Sequence, residues 1–112
     1  MELSLSADSA QLLDPEDLTS FAVVLEGDEE PGPEALAAGG VLGFGDHAWV
    51  RFDALRRLAG PVATPEWEDG FAQMLDYART RGWVDDEHGA VRGHVERRAA
   101  ARVAPVADRE QA

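Results

Sequence analysis

The chain has 112 residues with no cysteine, no lysine and a formal net charge of −12, and its 45% hydrophobic content is that of one folded domain with a single core. Lack of cysteine excludes disulfides, thiolate metal sites, iron–sulfur clusters and thiol nucleophiles, and lack of lysine excludes Schiff-base chemistry. The charge is one-sided: residues 1–50 hold eleven carboxylates and no arginine, whereas residues 51–112 hold ten arginines against eleven carboxylates, so the total divides into −11 and −1.

In chain order, Leu3 and Leu5 alternate with polar neighbours and predict a short strand. Residues 8–17 are turn-rich, and Asp14-Pro15 followed by Glu16 and Asp17 predicts one capped helical turn. The β-branched and aromatic run 21–25, bounded by Gly27, predicts the best strand of the chain. Residues 27–33 form a solvated loop by composition. A short helix over 33–38 is predicted to end at Gly39-Gly40, with proline inside its start and glycine past its end. Residues 41–52 read as one strand bent at Gly43 and Gly45. Asp53 is placed to cap a helix that Gly60-Pro61 stops.

The clearest element is a helix over 65–81. Thr64 is a good N-cap, Pro65 suits the first helical position, and Glu66, Glu68 and Asp69 sit at the positive end of the helix dipole. Trp67, Phe71, Met74, Leu75 and Ala78 make one apolar stripe. Arg79 and Arg81 complement the carbonyl end, Gly82 takes the left-handed cap, and Trp83 folds back on the last turn. Residues 83–84 and 91–95 then predict a hairpin around DDEHG, in which Gly89 supplies the positive φ. From 96 onward the chain is rich in Arg and Ala, and is expected to be a frayed helix and then a loose tail. The implied domain is 1–96, with 97–112 a partly disordered tail. The fold class is α+β: a short antiparallel or mixed sheet packed against one main helix, with a helix, helix, hairpin order in its second half like that of a winged helix.

No nucleophile-elbow, phosphate-loop or H-E-x-x-H signature occurs, and Gly43-Phe44-Gly45 lacks the third glycine and following helix of a dinucleotide fingerprint. Two arrangements carry chemistry. His94 and Glu96 stand two apart on a predicted strand and so share one face; Asp46 and His47 lie at the mouth of another. If those strands adjoin, His47, His94 and Glu96 form a two-histidine, one-carboxylate set for a divalent metal, and Asp46 with His47 is an acid/base pair. Against this stands the plain reading of exposed or core-edge histidines, since three histidines among twenty-two acids always offer such a triplet. Trp49 near His47 is a candidate wall of a shallow ligand pocket, whereas Trp67 and Trp83 are expected to pack. The runs Asp28-Glu29-Glu30 and Asp85-Asp86-Glu87 lack the ligand spacing of a calcium loop.

These features favour a non-enzymatic accessory or inhibitor-like binding module with no cofactor. Its partner is a basic or charge-polarised protein, or a second copy of itself, met through Asp28, Glu29, Glu30 and Glu34. The alternative is a small metal-dependent or acid/base enzyme, or a ligand-binding protein, using His47, Asp46, His94 and Glu96. Nucleic acid is disfavoured because the helix at 65–81 exposes Glu66, Glu68, Asp69 and Asp76 where phosphate binding needs a basic face. A membrane is not an expected partner, and with no basic, apolar leader at the start the expected location is cytoplasmic. The missing lysine fits GC-rich coding, which replaces lysine by arginine but does not explain why arginine too is absent from residues 1–50.

Overall fold

The computed structural model describes residues 1–98. Seven strands and three helices follow in the order β1 (Glu2–Leu5), β2 (Ala10–Leu13), β3 (Ala22–Glu26), α1 (Pro33–Ala38), β4 (Val41–Phe44), β5 (His47–Arg51), α2 (Phe52–Ala59), α3 (Pro65–Thr80), β6 (Val84–Asp85) and β7 (Ala90–Arg98). One mixed sheet has the order β2-β1-β3-β7-β5-β4, with β6 added to β7. β1 runs parallel to β3 and β3 parallel to β7; the other pairs are antiparallel. The fold is therefore α+β, as the sequence predicts.

The core lies on one face. Register aligns Leu3 with Val23 and Val23 with Val95, and further along aligns Val50 with Val91 and Ala48 with Gly93. The stripe of α3 closes over them: Trp67, Phe71, Leu75 and Ala78 are buried and Met74 is half-buried. Leu55 and Ala59 of α2 complete the cluster. α3 begins as expected, since Thr64 Oγ1 accepts the Trp67 N–H at 3.2 Å. It ends with Gly82 at φ 77 and the Trp83 N–H donating back to the Ala78 carbonyl at 2.9 Å.

Several expectations are corrected. The turn-rich segment contains β2, whose strand character comes from pairing with β1; Asp14 at φ 49 closes a turn to Asp17 there, in place of a helical turn. Residues 41–51 are a hairpin of β4 and β5 and not one bent strand: the chain reverses at Gly45-Asp46, and a bulge falls between Val41 and Gly43. Asp53 does not cap α2. β5 runs straight into that helix, whose Phe52 N–H donates to the Gly89 carbonyl at 2.8 Å, so Asp53 lies inside the first turn and bonds Arg56 at 3.3 Å. Beyond residue 96 the chain is not a frayed helix: β7 continues to Arg98 because β3 pairs with it as far as Glu26. The remainder of the expected tail, 99–112, lies outside the described residues. The helix, helix, hairpin order is present, but β7 is an interior strand of the sheet and not a free wing.

Candidate functional site

β7 is longer than any of its neighbours, and this creates a cleft. One edge is covered by β5 from Ala90 to His94. The other edge is shared: β6 pairs with Ala90 and Val91, and β3 takes over only at His94. Arg92 and Gly93 are left between the two, where the Arg92 N–H donates to the Trp83 carbonyl at 2.8 Å. A cavity of about 190 Å³ opens at this division. Met74, Tyr77 and Ala78 of α3 form one wall, the segment Thr19, Ser20 and Phe21 leading into β3 another, and Trp83 a third. Val91, Arg92 and His94 of β7 and His47 of β5 complete it.

The two histidines meet for a reason readable from the core. Ala48 and Val50 on β5, and Val91 and Gly93 on β7, are buried, so the intervening residues must face away. His47 is directly opposite His94 in the antiparallel register, and the rings stand edge to face with centroids 5.9 Å apart. The strands adjoin, as the metal arrangement requires. Glu96, however, is two residues further on, beside Val24 of β3, and does not join the histidines in a three-donor set. Among the described residues the group that places three donor atoms within 4.8 Å of one another is Asp85, Glu87 and His88, on the exposed β6–β7 turn. That group has a structural task already. His88 Nδ1 lies 2.7 Å from Asp85 Oδ2 and the His88 N–H donates to Asp85 Oδ1 at 3.2 Å, which closes the turn and holds the Asp85 carboxyl below its ordinary value.

Asp46 contributes its carbonyl, which accepts the Val95 N–H at 3.1 Å, and remains exposed. Trp49 is half-buried beside Gly43 and does not line the cleft; the indole that does is Trp83. Trp67 is a packing residue as expected, stacked on Phe71 with centroids 4.8 Å apart and donating from Nε1 to the Pro15 carbonyl at 2.7 Å. Of the acidic loop residues, Glu30 is held by Arg97, while Asp28, Glu29 and Glu34 are exposed.

The feature that sequence reasoning missed is a cationic and aromatic cluster. The Arg81 guanidinium stands 5.1 Å from the Tyr77 ring centroid and 5.8 Å from that of Trp83, and donates to the Tyr77 hydroxyl at 2.7 Å. Arg92 stands 5.8 Å from the same indole. The four-residue spacing of Tyr77 and Arg81 on α3 is a signal that sequence carries; the approach of Arg92 needs the hairpin. The cleft thus offers flat apolar walls, two imidazoles and the Arg92 guanidinium, a set of hydrogen-bond donors beside aromatic faces. No protein-family model matches the chain, and neither a curated protein nor a solved structure matches it significantly.

Proposed function

We propose that this protein is a non-enzymatic binding module whose site is the cleft where β6 and β3 divide the edge of β7. The observation that carries the reading is the convergence of His47, His94, Trp83, Tyr77 and Arg92 on one half-open cavity. Apolar walls with a few converging polar groups are the usual composition of a small-molecule site. Of the metal, acid/base and ligand-binding chemistries expected for His47, His94, Asp46 and Glu96, we favour ligand binding: Glu96 is not gathered with the histidines, which weakens the metal reading, and the two histidines line the cavity while Asp46 does not. The test is a titration with benzyl alcohol followed by NMR. Shifts confined to the Trp83 indole and to the backbone of Phe21, Arg92 and His94, and lost in Ser20→Phe, support it; Ser20 is exposed at the rim, so the larger ring blocks entry without entering the core. Shifts scattered over the surface, or indifferent to Ser20→Phe, reject it.

A second reading has its own observation. Asp28, Glu29 and Glu34 stay exposed without an arginine partner among the described residues, so the acidic N-terminal half presents a field that attracts a basic protein or the arginines of another copy. Sedimentation at low and high salt separates self-association from a monomer: an oligomer indifferent to salt rules out charge-driven pairing. Among the described residues, no helix is long and apolar enough to cross a membrane.

A further inference from the structure

The arginines divide into two sets. Arg56, Arg79, Arg97 and Arg98 are each within ion-pair distance of a carboxylate. Arg81 and Arg92 are not so paired among the described residues; both stand 5.8 Å from the Trp83 ring centroid, and Arg92 lines the cavity. Among the described residues Arg51 and Arg57 also have no carboxylate within ion-pair distance, but neither lines the cavity: Arg51 precedes α2 and Arg57 donates to the Ala38 carbonyl. In a chain with more than twice as many carboxylates as arginines, two acid-free guanidiniums on one indole are unexpected. The lining is selective too: twenty of the 98 described residues are acidic, yet none of the eleven around the cavity is. The whole molecule is acidic and this cleft is not.

We propose that the cleft binds a small aromatic carboxylate, its ring against Trp83 and Phe21 and its carboxylate on Arg92. This rests on the cleft being a ligand site. Size favours one ring: the cavity is a little larger than the roughly 150 Å³ apolar cavity known to admit benzene. Charge favours a carboxylate, because a guanidinium presents a planar fork of N–H donors that matches a planar two-oxygen acceptor. The Arg92 fork, half-buried and already aligned on the indole, loses little freedom on binding. His47 and His94, side by side on the same wall, add imidazole N–H donors to an anion held there.

The experiment compares benzoate with benzyl alcohol, which keep the ring and differ in charge, and acetate, which keeps the charge without the ring, in NMR titrations of the 112-residue chain. Benzoate is expected to shift the Trp83 indole and His94 resonances with an affinity about tenfold above benzyl alcohol, and acetate to shift neither, against the repulsion of a −12 molecule. Arg92→Gln is expected to erase the advantage and Arg92→Lys to keep part of it, with unchanged thermal melts; Arg92→Lys, which keeps the cation and the long stem without the planar fork, gives the second reading should Arg92→Gln not fold. Equal affinity for benzoate and benzyl alcohol, or a benzoate advantage that the Arg92 variants leave intact, overturns the carboxylate assignment, and acetate binding as well as benzoate overturns the aromatic one, while in each case the cleft remains a ligand site. Absence of cleft shifts with both ring probes overturns the site itself.

Discussion

Gly93 joins the core to the cleft. A Cβ there would lie 2.8 Å from Phe21 Cε2 and 3.3 Å from Val23 Cγ2, because the Phe21 ring occupies the place of the missing side chain. Gly93→Ala must displace the ring of Phe21, which lines the cavity, and overpacking of this kind costs about 1–3 kcal/mol. The expected result is a lower urea midpoint at unchanged slope, partly recovered by adding Phe21→Leu; a variant as stable as the parent would mean that the ring moves freely. Gly40 is stricter. It has φ +66, and an added Cβ would sit 2.4 Å from Ala54 Cβ, so both the backbone and a neighbouring helix resist. Gly40→Ala should lower the midpoint further than Gly93→Ala, since no rotation of a side chain relieves a left-handed φ. At this scale sequence was only partly legible. A strand glycine signals close approach, but not of what, and Phe21 reads as a strand residue until β3 is seen to begin after it. The facing of His47 and His94 was within reach, because alternation fixes each residue's face once the two strands are known to pair.

Among the elements, α3 was the most legible because its signals are local and agree: cap, proline, apolar stripe, basic end and left-handed glycine all lie within twenty residues. Its cap is testable. Thr64→Ala removes the acceptor of the Trp67 N–H and is expected to cost about 1 kcal/mol in a denaturant melt, while Thr64→Ser stays close to the parent. The far end of α3 is tied to the β6–β7 turn, where Arg79 donates from Nε and Nη2 to Asp86 at 3.1 and 2.9 Å and so holds its carboxyl below the ordinary 3.8. Asp85 is lowered likewise by the hydrogen bond from His88. A carboxyl whose pKa is lower folded than unfolded contributes stability above its unfolded value and loses it as pH falls through its folded value. The turn should therefore keep its amide protection at neutral pH and lose it below pH 3.8, and Asp86→Asn should flatten part of that dependence; protection constant down through the acid range would contradict the pairing. β2 and the β4–β5 hairpin were not legible for the opposite reason. Four residues of turn-rich sequence become β2 only because β1 pairs with them, and an apolar run with two glycines alternates the same way whether it bends or reverses.

For the whole molecule, the charge division along the chain is partly undone by the fold. Arg98, at the end of β7, donates to Glu2 of β1 at 2.8 Å and reaches Glu26 of β3 at 3.4 Å, while Arg97 takes Glu30. Second-half arginines thus neutralise first-half acids within one copy, a contact that order along the chain cannot reveal because β1, β3 and β7 become neighbours only through parallel crossovers. The described residues still carry eight arginines against twenty carboxylates, a net −12. Two effects of salt then oppose each other. Surface ion pairs such as Arg98 with Glu2 and Glu26 contribute little and weaken with salt. Repulsion among the excess carboxylates acts over longer distances, so it is screened first as the Debye length falls from about 30 Å at 0.01 M to about 8 Å at 0.15 M. With twelve charges uncompensated, repulsion should win, and the melting temperature should rise with sodium chloride from low to physiological ionic strength. Arg98→Ala removes a cation beside two carboxylates, so its melting temperature should be lower at low salt and should rise more steeply. A melting temperature that falls on adding salt to the parent would show that the pairs along β1, β3 and β7 outweigh the net charge, and the shallower slope of Arg98→Ala would then identify that cluster as their source.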